Sequence, residues 1–167
     1  METGAFEISD KEQSQARVIL FDLDGTLIDH FSAIYRAVSY AQAQLGLATS
    51  DYATVRATVG GSVPITLGKL CGGADAAARA EPYFRQHFAE IMLEDVKPLP
   101  GAGDLLQRLK SLGMTLAVLT NKYDAHAKAV LAHLGMDTWL DGIFGTDGEF
   151  PYRKPDPRFT MQALGGA

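Results

Sequence analysis

Cysteine is nearly absent: Cys71 is the single one in 167 residues. That excludes a disulfide framework and suits a reducing cytosol, so a cytoplasmic protein is expected. Cys71 itself reads as a packed apolar residue, since no neighbour argues for a reactive thiolate. No apolar run approaches the roughly 20 residues of a membrane span, so no membrane role is expected. A basic excess is also missing, with 15 Lys and Arg against 20 Asp and Glu and a formal net charge of −5. A nucleic-acid backbone calls for a basic face, so nucleic acid is not an expected partner. A small phosphorylated ligand stays open, because local charges govern a pocket. There is no internal repeat and no signal-peptide core. Residues 1–16 are polar and read as a flexible tail.

What is present is an alternation of strand and helix patterns. Val18-Ile19-Leu20-Phe21 is a short apolar run ended by Gly25, which reads as a strand buried on both faces. From Asp29 to Leu47 apolar residues recur every three or four positions, with Asp29 as N-cap and Gly46 as stop. Short helices are expected over 51–59 and 62–70, and a longer one over 74–94, where Phe84, Phe88, Ile91 and Met92 share a stripe. No strand signal appears between Asp29 and Asp95. After Pro98-Leu99-Pro100-Gly101 the style changes. A helix is expected over 102–112, a buried strand over 115–119, a helix over 124–134, a short strand at Ile143-Phe144 and a last helix after Pro157. Strands separated by helices imply an α/β fold with a parallel sheet and right-handed crossovers. The block over 30–96 is too long for a simple crossover and reads as an inserted helical subdomain.

The strongest chemical signal is Asp22-Leu23-Asp24-Gly25-Thr26 after the first strand. Alternation along a strand turns Asp22 and Asp24 the same way. They stand at the carboxyl end, where open α/β sheets bind ligands. Two carboxylates a few ångströms apart repel by about 4 kcal/mol at an effective dielectric near 20. A shared proton or a divalent cation such as Mg²⁺ would offset that. Gly25 permits the sharp turn. An isolated Asp-x-Asp is an ordinary turn, but the full pentapeptide in this context is much more specific.

Together with Leu119-Thr120-Asn121-Lys122 and Arg153-Lys154-Pro155-Asp156-Pro157, this segment resembles the haloacid dehalogenase-like hydrolase superfamily. Thr120 lies 98 residues after Asp22, and Lys154 lies 34 after Thr120, which leaves room for a cap and one βαβ step. Pro100-Gly101 and Thr120-Asn121-Lys122 look like phosphoglycolate phosphatases in particular. The resemblance implies a three-layer Rossmann-like core over 17–29 and 97–167 with a helical cap over 30–96. It also implies a Mg²⁺-dependent phosphatase acting on a small phosphorylated, phosphoglycolate-like substrate. Asp22 would be the nucleophile and Asp24 the general acid and base. Asp22 and Asp24 would hold Mg²⁺, the latter through its backbone carbonyl. Thr120, Asn121 and Gly25 would bind substrate, and Lys154 would neutralise developing charge. Hinges are expected near 28–31 and 95–100.

Other candidates read more plainly. Lys122 is expected at the surface or facing the cap. His30, His87, His126 and His133 are expected on helix surfaces. Gly60-Gly61 is either a substrate-facing turn or a helix break. The family's fourth motif, an acidic pair after the third-motif helix, is missing. Asp137, Asp141, Asp147 and Glu149 precede Lys154 and stand in the wrong order to replace it. The core is therefore expected to be C-terminally incomplete, with the first strand as an exposed apolar edge and a truncated chain as the simplest reading. A catalytically silent descendant that binds a phosphorylated ligand or a protein is the alternative. A response-regulator-like phosphoacceptor is disfavoured by the long insertion after the first strand. No feature of the chain specifies an oligomeric state.

Overall fold

An apolar tetrapeptide, Val18–Phe21, forms β1 and pairs in parallel with β4, Thr115–Tyr123, with Val18 opposite Thr115 and Phe21 opposite Val118. On the other side of β4 lies β5, Gly142–Thr146, also parallel, giving the order β1-β4-β5. This computed structural model describes residues 18–147 and 151–166, so the tail expected over 1–16 lies outside the described residues. The central strand is buried from Leu116 to Tyr123. Among the described residues β1 has one strand neighbour, so it is half-buried along its length rather than buried on both faces. Its edge position is the one anticipated for it.

Alternate residues of β4 enter different layers, as the pleat requires. Leu116 and Val118 pack with Leu106 of α5 (Ala102–Ser111) and with Ala127, Val130 and Leu131 of α6 (Asp124–His133). Leu119 instead packs with Phe159 and Ala163 of α7, Pro157–Gly166. Helices thus cover both faces of the sheet. Gly145 is where β5 presses on the start of α6: a Cβ there would fall 2.5 Å from the Asp124 backbone, and its N–H donates to Asp124 Oδ1. Only glycine fits such an approach.

Between residues 30 and 96 the chain builds four helices: α1 (Phe31–Gln44), α2 (Tyr52–Thr58), α3 (Val63–Cys71) and α4 (Ala74–Ile91). The α1 stripe of Ala33, Ile34, Ala37, Val38 and Ala41 closes on Val55, Leu67, Cys71, Ala80 and Phe88 in a separate apolar cluster. Asp51 caps α2 by accepting from Thr54 N–H, the role expected of Asx side chains there. The N-cap of α1 is His30 rather than Asp29. Two short strands also went unread in the sequence: β2 (Ile28–Asp29) and β3 (Lys97–Pro98) pair antiparallel and tie together the two chain segments that enter and leave the helical block. Two residues are too few to show a period.

Candidate functional site

After β1 the chain folds back on itself. Thr26, Leu27 and Ile28 N–H groups all donate to Leu23 O, and Gly25 N–H donates to Ile28 O at 2.8 Å. Gly25 holds φ +80°, and a Cβ there would lie 3.2 Å from the Phe31 ring. Leu23 is completely buried, while Asp22 and Asp24 on either side of it line the cleft between sheet and helices. Gly25 itself does not line that cleft; its place in the site is the turn that positions Asp24.

Asp22 is the more open carboxylate. Its Oδ1 accepts from its neighbour's N–H, Leu23, at 2.8 Å and from Lys154 Nζ at 2.7 Å. The lysine comes from the loop after β5 and is fixed by Asn121, whose Oδ1 accepts from Lys154 N–H at 2.8 Å and whose Nδ2 donates to Lys154 O at 3.2 Å. The Asn121 side chain therefore clamps the lysine loop. The same Nδ2 reaches Gly60 O in the helical block at 3.4 Å, so the Gly60-Gly61 turn touches the site. Thr120 is buried on the cleft wall, and its Oγ1 accepts from Lys122 N–H at 3.2 Å.

The structure decides between the two places expected for Lys122, in favour of the one facing the helical block, and corrects those expected for His30 and His126. Lys122 is not at the surface: it is 8% exposed, its Nζ donates to Asp24 Oδ2 at 2.8 Å, and it faces the Phe88 ring of the helical block at 5.0 Å. The signal was available, since Thr120 and Lys122 lie two apart on one strand. His30 is not on a helix surface either; it is 1% exposed. Its Nε2 donates to Met92 O at 2.7 Å, and its Nδ1 lies 3.7 Å from Asp24 Oδ1. Burial first, then the Lys122 charge, lowers its pKa to about 4 against the pull of Asp24. It bridges both segments that connect helical block and sheet. His126 is half-buried in the cleft wall between Phe88 and Tyr123, and burial again lowers its pKa. His87 and His133 are the two that lie at or near the surface.

The donor chemistry fits a hard cation. Asp22 is a half-exposed carboxylate, and Asp24 Oδ1 is buried with no hydrogen-bond partner. Among the described residues no group of three or more His, Cys, Asp or Glu forms a metal cage. An ion held here would rest on two residues and complete its shell with water and substrate oxygens, which Mg²⁺ accepts. Asp141 and Asp147 serve elsewhere: the first bonds Lys110 and Leu116 N–H, and the second pairs with Arg85.

The chain as a whole matches a known class. The family model of the haloacid dehalogenase-like hydrolases matches residues 16–164, and the chain belongs to that family. Within it the chain is phosphoglycolate phosphatase-like. It is 36% identical over 148 residues to a phosphoglycolate phosphatase of Aquifex aeolicus, covering 89% of this chain and 68% of the relative. A phosphoglycolate phosphatase of Mesorhizobium japonicum is 30% identical over 153 residues, with 88% and 67% covered. The chain thus spans about two thirds of the length of these curated relatives. Among solved structures, a predicted phosphatase from Clostridium acetobutylicum superposes with a TM-score of 0.81 at 28% identity, covering 91% of this chain and 72% of that one. No helix among the described residues is long and apolar enough to cross a membrane.

Proposed function

We propose that this chain is a Mg²⁺-dependent phosphatase of a small phosphorylated metabolite, of the kind phosphoglycolate exemplifies, and that it works through an aspartyl-phosphate. The observation that carries this reading is the convergence of Asp22, Asp24, Thr120 and Lys154 on one cleft, with Lys154 Nζ 2.7 Å from Asp22 Oδ1.

A carboxylate oxygen of Asp22 attacks phosphorus, and the bond from phosphorus to the ester oxygen breaks. Asp24, carrying a proton, gives it to the departing alkoxide. In the second half Asp24 takes a proton from water as that water attacks the aspartyl-phosphate, which frees phosphate and restores Asp22. The Thr120 hydroxyl and the Asn121 N–H donate to phosphoryl oxygens, while Lys154 stabilises the charge on them. The Asp22 carboxylate and the Asp24 carbonyl would hold Mg²⁺, which would supply positive charge to offset the repulsion between a dianionic phosphate and two carboxylates. Lys122 joins this set as the cation beside Asp24.

The helical block over 30–96 acts as a cap on a core over 17–29 and 97–167. The β2–β3 ribbon is the hinge, so closure removes water from the phosphate. The test is phosphate release from a panel that includes phosphoglycolate. Asp22→Asn should lower the rate more than about 1000-fold, by analogy with the loss of a nucleophile from a cooperating set. Because Asp22 is exposed, its melting curve should not move. Turnover unchanged by the substitution would remove the mechanism. The absence of a third acidic ligand among the described residues favours one competing reading, a silent phosphate-binding relative. Any Asp22-dependent turnover excludes it.

A further inference from the structure

Lys154 stands on weak local support. Its flanking residues, Arg153 and Pro155, are exposed. Its ion pair with Asp22 is open to water as well, the two side chains being 29% and 47% exposed. An exposed pair holds little on its own, and lysine is a flexible side chain. The firm contact is at the base of the residue, with Asn121, which is 9% exposed. Lys154 N–H donates to Asn121 Oδ1 at 2.8 Å. Asn121 Nδ2 donates to Lys154 O at 3.2 Å and to Gly60 O at 3.4 Å. All three partners call for the same orientation of the amide, oxygen to the N–H and nitrogen to the two carbonyls. Asn121 is itself anchored where the β4–β5 register shifts, between Leu119 and Tyr123, and its carbonyl accepts from Thr146 Oγ1 at 3.2 Å. Irregularities of this kind re-aim side chains at the end of a strand.

We propose that the Asn121 side chain is a positioning residue for Lys154: it holds the lysine backbone so that Nζ reaches a phosphoryl group at Asp22, and it acts through that lysine rather than by touching substrate. This rests on the phosphatase reading above and adds a residue to it. The substrate contact of Asn121 is then its backbone N–H, which any side chain leaves in place. The amide takes the N–H and the carbonyl of Lys154 together, so the loop is ordered on folding and not at each binding event. The cation therefore stands in place before the phosphate arrives, and preorganised charge is what stabilises a transferring phosphoryl group. The Gly60 carbonyl belongs to the helical block, so the amide has all its partners only when that block is seated on the sheet.

A double-mutant cycle with Lys154→Met provides the test, in the whole chain with Mg²⁺ present. It is read as kcat/KM for the ester of the panel that is cleaved fastest, and as Kd for inorganic phosphate by calorimetry. Asn121→Ala alone should lower kcat/KM by about 100-fold, the scale of a misplaced group at a reacting centre. In the Lys154→Met background the same change should cost less than about threefold, because the group it positions is gone. The phosphate Kd should weaken by about tenfold in the first background and by less than about threefold in the second, so the cycle is read even where Lys154→Met leaves no turnover. Asn121→Ser takes the place of the alanine variant if that one does not fold. A general loss of structure lowers both backgrounds alike. Equal losses in the two backgrounds would therefore overturn the inference and leave the phosphatase reading standing. Absence of Asp22-dependent turnover in the unmodified protein would overturn the phosphatase reading, and this inference with it.

Discussion

The middle of the helical block and its seam with the sheet each bury a polar side chain, and the two are held differently. In the block, Gln42 is fully buried and satisfied: its Nε2 donates to Ser50 Oγ and Leu70 O, and its Oε1 accepts from Ser50 N–H. Where the sheet meets the block, Asp24 Oδ1 and His30 Nδ1 are buried and face each other without a hydrogen bond. Such groups cost stability unless something else holds them. The contrast is between a side chain that ties helices together, Gln42, and two titratable side chains left unpaired at the edge of the cleft. Asp24 sits at the seam because β1 delivers it there, and His30 because α1 begins there.

The largest effects should come from cutting each cluster. Leu67→Ala in the block and Leu106→Ala beneath the sheet remove completely buried side chains, and each should cost about 2–5 kcal/mol. They share no cluster, so in urea denaturation the double variant should equal the sum within about 0.5 kcal/mol. A large departure would mean that the two regions unfold as one coupled core.

Next comes the seam itself. His30 has a pKa of about 4 in the folded protein against an ordinary 6.5, so the unfolded chain takes up its proton first as pH falls. Its contribution is complete above pH 6.5 and disappears as pH drops towards 4, by up to about 3 kcal/mol. The melting temperature should therefore fall across that window. His30→Gln should flatten the fall, while the acid transitions of other groups remain. A profile identical in both proteins would place the histidine in water.

Lys122→Met tests whether the buried cation beside Asp24 serves the reaction. Phosphate release should fall about 100-fold, the usual scale for one electrostatic contact at a reacting centre. An unchanged rate would reduce Lys122 to a structural ion pair. The smallest effect is expected at Gln42→Leu, which strands the Leu70 carbonyl and should cost about 1–3 kcal/mol with the activity unchanged, as measured by thermal unfolding and phosphate release.

Much of this was legible in the chain. The apolar run before Asp22, the three-and-four spacing of α1 and the glycines that end helices are local signals, and they gave the elements within a few residues. Asp22, Thr120 and Lys154 were legible because strand ends and motif order are written in sequence. Less legible was the far side of the site. Asn121 reads in the sequence only as a substrate contact, whereas its side chain clamps Lys154 from 33 positions away. The β2–β3 ribbon joins residues about 70 apart in so short a pairing that no pattern marks it.

By itself the sequence determined where the helices and the three parallel strands fall, that a helical insertion follows the first strand, and that Asp22, Asp24, Thr120 and Lys154 are the candidates for chemistry. It could do so because periodicity and turn residues act over a few positions. Only the tertiary structure decided that Lys122 and His30 are buried against Asp24 and that Asn121 ties the Lys154 loop to the cleft. Those outcomes depend on how the helical block settles on the sheet, and burial, which sets charge and contact, belongs to the packed surfaces together rather than to either stretch of chain.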